Sequence, residues 1–283
     1  KVIIQSGNPD AIFEKEKSNY YAKKFIEVLG IGEKDILKLK ELSAEKLVEA
    51  EEKLLNESDE ITCFSPNVDG EIIKRKPSEP SFSGRKLPLL IGTNSEEWNI
   101  FSVFDKKIRG MDFDELNAKI SARVKGLDAR KVIDFYREKL RKEKKEPEAW
   151  RIYSEFMTHT FFLIPSLKFA ERWASFGNPV FVYLFTWSSP YLSGILGACH
   201  TLELGFIFGN YDERFFGSGK KANELSEKMQ DSWTSFAKTS DPSCESLGIW
   251  ESYGSSRNIM VLGERCYLAR DPYGDLFSIY EGS

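Results

Sequence analysis

The sequence predicts an α/β fold with a largely parallel central sheet and helices on both faces. Three observations carry that expectation. Short, continuously apolar runs, residues 87–93 and 179–187 foremost, read as strands buried on both faces. Helical segments of ten or more residues lie between such runs. No linker or low-complexity stretch divides the 283 residues, which are enough to bury a sizeable core.

Residues 1–5 (Lys-Val-Ile-Ile-Gln) form a short strand, ended by the turn chemistry of Ser6-Gly7-Asn8-Pro9. A helix is expected over 19–29, with Tyr21, Phe25, Ile26 and Leu29 on one face and Gly30 as its stop. A second follows over 44–55, behind Ser43 as N-cap. Residues 63–80 read as irregular, with Val68-Asp69-Gly70 as a turn. The strand at 87–93 runs out into Glu96 and Glu97. Two amphipathic helices, 112–124 and 128–144, join at Gly126. Helical periodicity over 148–176 is interrupted at Pro165. Residues 179–187 (Pro-Val-Phe-Val-Tyr-Leu-Phe-Thr-Trp) are the strongest strand. A long helix over 222–238 stops before Asp241-Pro242, and 259–262 is a last short strand.

Composition excludes several function classes. A hydrophobic share of 41% and a charged share of 30% fit a globular chain. A net charge of −4 argues against nucleic acid or an anionic membrane surface as partner. The basic cluster at 139–145 is simply the solvated end of a helix. No apolar run approaches the roughly 18 residues a membrane span needs. Cys63, Cys199, Cys244 and Cys266 form no Cys-x-x-Cys pair, and two histidines cannot complete a metal cluster, so no zinc site is expected. Reduced, mostly buried thiols suit a cytoplasmic compartment. Gly217-Ser218-Gly219-Lys220 has some letters of a phosphate loop. Arg214 stands where its first glycine should be, and Lys221 where Ser or Thr should be. No Gly-x-Gly-x-x-Gly occurs, which disfavours a dinucleotide enzyme.

Chemistry concentrates at two places. His200 lies in a glycine-punctuated loop after the strongest strand, where α/β enzymes present functional side chains. The other histidine, His159, lies inside a helical pattern and reads as structural. Of the carboxylates after the earlier strand, both could be solvated; functionally, one turns inward to fix the histidine tautomer. The acid-then-histidine order fits a hydrolase triad, but no Gly-x-Ser-x-Gly elbow occurs anywhere.

Five segments resemble type B carboxylesterases, the cholinesterase-like and para-nitrobenzyl-esterase-like branch of the α/β-hydrolases. They are residues 2–9, Val68-Asp69-Gly70, residues 90–97, residues 197–209, and 229–233 running on to Phe236 and Asp241-Pro242. They occur in the family's order across almost the whole chain. The resemblance implies that residues 1–283 are the C-terminal portion of a single α/β-hydrolase domain. It implies Glu97 as triad acid, His200 as general base and Ser6 as a hydrogen-bonding support of Glu97. It places the nucleophilic serine and the oxyanion loop in an upstream N-terminal segment, of the same protein or a separate chain, that packs against this one. Trp98 departs from the glycine usual after the acid; with Phe101 it is a candidate pocket wall. The implied activity is hydrolysis of a small-molecule carboxylic ester through an acyl-enzyme, with no metal or organic cofactor. The rival is a cholinesterase-like adhesion or binding module without the serine; retention of both acid and histidine argues against it.

Overall fold

The computed structural model describes residues 1–58, 62–79, 86–124 and 126–280. Pro80, the last residue of the stretch read as irregular, lies outside them. The chain divides into two compact units, one of Lys1–Asn8 with Phe82–Ser283 and one of Pro9–Ser81.

After the first strand, β1 (Val2–Gln5), the chain builds the smaller unit. Two two-residue strands, β2 (Phe13–Glu14) and β3 (Asn67–Val68), pair in parallel there. Between them lie α1 (Lys15–Val28) and α2 (Ala44–Asn56). The spacing of Tyr21, Phe25 and Ile26 turns one face of α1 inward, against Ala50 and Leu54 of α2 and against Cys63. Ser43 caps α2 by accepting the Lys46 N–H at 3.4 Å. Gly30, at φ +68°, ends α1: its N–H reaches Glu27 O at 3.0 Å, and Ile31 N–H reaches Ile26 O at 2.9 Å. These paired bonds satisfy the last carbonyls, as a left-handed glycine stop requires. A 3-10 turn over Glu33–Glu41 has no apolar period that would announce it.

Among the described residues the larger unit holds a five-stranded sheet in the order β1-β4-β5-β6-β7. Strands β4 (Leu89–Asn94), β5 (Val180–Phe185) and β6 (Asn258–Leu262) are buried along their whole length. With β1 they run parallel; β7 (Tyr267–Arg270) adds an antiparallel edge. Alternation divides their side chains between two cores. Leu89, Ile91, Val180, Val182, Leu184 and Ile259 face one, whose helices are α5 (Phe113–Arg123), α6 (Ala129–Lys142), α7 (Ala149–Met157), α8 (Ile164–Ser175) and α12 (Gly274–Tyr280). Leu90, Phe181, Tyr183, Phe185, Met260 and Leu262 face the other, covered by α9 (Leu202–Phe208) and α11 (Lys220–Thr239). The unit also holds the short α3 (Asn99–Phe104), α4 (Lys106–Arg109) and α10 (Glu213–Phe216), and a 3-10 turn over Tyr191–Gly194. Helices therefore lie on both faces of a mostly parallel sheet, as the apolar runs predict.

The expected break at Pro165 takes another form. The helical run does not stop; it widens into a π-helical turn over Thr158–Leu163, and Pro165 falls in the first turn of α8. Ile164 N–H bonds back five residues, to His159 O. Widening takes up the backbone mismatch that a ring lacking N–H imposes. It also places Thr158 and Phe162 toward the end of β4.

Leu90 is fully buried on a central strand, whereas Leu37 is 71% exposed. Leu90→Ala is expected to lower unfolding free energy by about 2–5 kcal/mol, and Leu37→Ala to change it by less than about 0.5 kcal/mol. Denaturant titration of the protein carrying this chain measures both.

Candidate active site

Parallel pairing sets the site. Gln5 is in register with Gly92, and Ser6 N–H continues the ladder to Gly92 O at 2.9 Å. Both chains then turn at one end of the sheet, which puts Ser6 beside the turn that follows β4. Ser6 takes a left-handed backbone, φ +51°, to leave the strand.

Glu97 lies in that turn with no exposed surface. One carboxylate oxygen accepts Ser6 Oγ–H at 2.5 Å and Asn94 N–H at 2.7 Å. The other lies 2.7 Å from His200 Nδ1. A buried carboxylate needs such partners, because each unsatisfied lone pair costs desolvation energy. The expectation of a single inward carboxylate is incomplete. Glu96 is also drawn in: its side chain is only 17% exposed, and it is bound by Ser95 Oγ, Ala198 N and Lys145 Nζ at 2.6, 2.9 and 2.9 Å. Lys145 holds the Glu96 carboxyl below its usual range, although burial alone would raise it.

The segment 94–99 grips the loop that ends in His200. Asn99 Nδ2 donates to Ile195 O and Leu196 O, Asn94 Nδ2 to Cys199 O, and His200 N to Glu97 O. The His200 ring is 29% exposed. With Nδ1 donating to Glu97, Nε2 keeps its lone pair and has no partner among the described residues. Burial pulls the imidazole pKa down, but the hydrogen bond and charge of Glu97, with the charge of Glu203, outweigh it and hold it above the ordinary value.

Aromatic rings flank the imidazole. Phe162 and Phe101 have centroids 5.1 and 5.7 Å from it. Phe101 is 38% exposed, whereas Trp98 is 5% exposed and packs behind it against Phe101, Phe161 and Phe162. Trp98 thus supports the Phe101 and Phe162 rings from the buried side, and Phe101 is the most open of the three. Trp98 N–H is held by Thr158 Oγ1 of the π-helical turn at 3.0 Å. His159, on the same turn, is buried with Nδ1 3.1 Å from the Tyr136 phenolic OH, and burial pushes its pKa well down. The two histidines therefore differ in kind: one ring is partly open, the other sealed in a core.

Sequence reasoning did not single out Asn94 or Glu203. Asn94 Nδ2 donates to Glu203 at 2.7 Å across 109 residues, and Gln5 Nε2 reaches the other Glu203 oxygen at 3.3 Å. Burial, then the charge of Glu97, raise the Glu203 pKa against the pull of these bonds. The only signal available was a carboxylate three residues beyond His200 in an otherwise apolar run. The four cysteines are free thiols; Cys63 and Cys199 are buried, and Cys244 and Cys266 partly so.

The model of the carboxylesterase family matches residues 1–268. The para-nitrobenzyl esterase of Bacillus subtilis (strain 168) is 30% identical over 285 residues, covering 96% of this chain and 54% of that protein. A solved thermophilic PNB esterase superposes with a TM-score of 0.80 at 30% identity, over 99% of this chain and 57% of that one. The Geobacillus stearothermophilus carboxylesterase EST55 at pH 6.2 gives 0.80 at 26% identity, over 98% and 57%. The chain spans about half the length of these relatives.

Thr201, directly after His200, holds φ +70° with its side chain exposed and no capping bond. A left-handed backbone costs a side-chain-bearing residue roughly 1–2 kcal/mol, while glycine's freer unfolded chain costs about 0.4–1 kcal/mol. Strain relief wins, so Thr201→Gly is expected to stabilise the protein by about 0.5–1 kcal/mol, read from its denaturation midpoint.

Proposed function

The chain belongs to the carboxylesterase family, and we propose that it supplies the acid and the base of a serine carboxylesterase. The observation that carries this reading is the buried Glu97 carboxylate bonded to Ser6 Oγ, Asn94 N–H and His200 Nδ1. A carboxylate on Nδ1 leaves Nε2 as the basic nitrogen at a partly open surface, which is what general-base catalysis needs.

In this reading a serine outside these residues attacks the carbonyl carbon of a small carboxylic ester. His200 Nε2 takes the serine proton as the bond forms. Glu97 holds the ring and stabilises the imidazolium, and Ser6 and Asn94 hold Glu97. The imidazolium then gives its proton to the leaving alkoxide, and the alcohol departs from an acyl-enzyme. Water repeats the cycle: His200 removes its proton, and the acid is released with the serine restored. Oxyanion donors also come from outside the chain. Residues 1–283 are, in this proposal, the C-terminal portion of one hydrolase domain. Three facts favour it: the share of the relatives the chain covers, the lack of a Gly-x-Ser-x-Gly elbow, and the position of β1 at an edge of the described sheet with Val2 and Ile3 each 38% exposed. Phe101 and Phe162 beside the ring favour an aromatic or apolar group on the ester.

Steady-state kinetics of the complete protein on para-nitrophenyl esters test the reading. His200→Ala is expected to lower kcat by several orders of magnitude, while His159→Ala keeps most of it; equal losses would overturn the assignment. Glu97→Gln should also lose much of the rate, because the amide offers the wrong tautomer a partner and cannot offset imidazolium charge.

The pH profile carries a sign. Glu97 keeps His200 protonated to higher pH than an ordinary imidazole, so the base form is lost earlier as pH falls. The acid limb of kcat/KM is expected above the ordinary value of about 6.5, and a limb at or below it would count against His200 as the base.

A further inference from the structure

Beside the Glu97–His200 pair lies a second carboxylate with an unusual set of partners. Glu96 and Ala198 exchange two hydrogen bonds: Glu96 N–H donates to Ala198 O at 3.1 Å, and Ala198 N–H donates to the Glu96 carboxylate at 2.9 Å. The carboxylate lies flat against Gly197, where a Cβ would meet Glu96 Cδ at 2.7 Å. Gly197, at φ +58°, gives the loop its left-handed bend, and His200 follows three residues later. On its far side the carboxylate is held by Lys145 Nζ at 2.9 Å. Lys145 stands in the turn after α6 and is held in its turn by Glu143 at 3.0 Å. Glu143 pairs with Lys139, and Lys139 with the buried Glu155, both at 2.7 Å. Charges alternate along this row, so Glu96, Lys145, Glu143 and Lys139 are each held by more than one partner.

We propose that Glu96 and Lys145 are positioning residues for the general base: the lysine clamps the carboxylate onto Gly197 and Ala198, and this fixes the loop that sets His200 Nδ1 against Glu97. The inference rests on the reading of His200 as base. Neither residue bonds to the imidazole in the structure; both act through the backbone of 197–198. Two carboxylates in sequence thus divide the work, Glu97 on the ring and Glu96 on the loop beneath it. Surface ion pairs contribute little by themselves. This pair differs because its anion also accepts a backbone N–H from the loop, and the Glu96 side chain is only 17% exposed.

The test is Lys145→Met in the complete protein, read by kcat, KM and the acid limb of kcat/KM. The charged groups that set the His200 pKa are Glu97 and Glu203. Removing a distant positive charge would by itself make His200 easier to protonate and move the acid limb up. Loosening the loop weakens the Glu97 bond and moves the limb down, so the two effects have opposite signs. The expected result is a three- to tenfold loss of kcat, KM within about threefold, and an acid limb shifted down by several tenths of a pH unit. Glu96→Gln, which keeps an oxygen for Ala198 N–H, should give the same pattern at similar size. Glu96→Ala should be worse than Glu96→Gln. The double change Lys145→Met/Glu96→Gln should cost little more than either alone, since both break one contact. An acid limb that stays or rises in Lys145→Met, with kcat unchanged, would overturn the proposal. So would additive losses in the double variant with no change in the limb, which is what a purely structural pair produces. His200→Ala, assayed alongside, separates the two levels: full activity there removes the reading of the base itself, whereas loss there with a silent Lys145→Met removes only the clamp.

Discussion

Burial of the Glu97 carboxylate is the constraint on which the site depends. A carboxylate without exposed surface is tolerated only if its lone pairs are taken, and here three donors from three parts of the chain take them. Ser6 comes from the end of β1, Asn94 from the end of β4, and His200 from the loop beyond β5. The parallel register of β1 with β4 and of β4 with β5 brings those ends to one end of the sheet. Slipping β1 against β4 by one residue would put Gln5 or Gly7 where Ser6 stands, and neither offers a hydroxyl to the carboxylate. The left-handed turns at Ser6 and Thr201 are local costs accepted for that geometry.

Much of the frame was legible because burial on both faces writes a plain signal. Strands β4 and β5 are continuous apolar runs, and α11 shows Leu225, Met229, Trp233 and Phe236 at helical spacing; each appears within a few residues of its expected place. The antiparallel β7 was not legible. It lies at an edge, half exposed, and Tyr-Leu-Ala-Arg carries no strong strand pattern. Strands β2 and β3 are two residues long, too short for any period. Helix α9 hid inside the segment read as a loop, because its exposed positions include the apolar Leu204 and Phe208 while its one charged residue, Glu203, is buried, so the sequence shows no polar face.

In the candidate site, His200 and the pair Glu96 and Glu97 were legible from their places after strands, while the choice of Glu97 over Glu96 came from the resemblance. Ser6 was indicated only by resemblance to known sequences. Lys145 was not legible as a partner of Glu96. Its neighbourhood reads as a solvated basic cluster, and a pairing across 49 residues leaves no trace in local composition. The π-helical turn was hidden for a similar reason: proline signals a disturbance in a helix, but not whether the chain breaks or widens. That distinction matters, since Phe162 and Thr158, which reach the His200 ring and the Trp98 backbone, both stand on the widened turn.

The tautomer of His200 is the most direct measure of whether this geometry makes a base. Nitrogen-15 NMR of histidine-labelled complete protein above the imidazole pKa, with the signal assigned by its loss in a His200 variant, reads the protonation of each ring nitrogen. A carboxylate at 2.7 Å from Nδ1 requires the proton on Nδ1 and a bare Nε2. Finding the proton on Nε2, with Nδ1 bare, would contradict the proposed role of both residues.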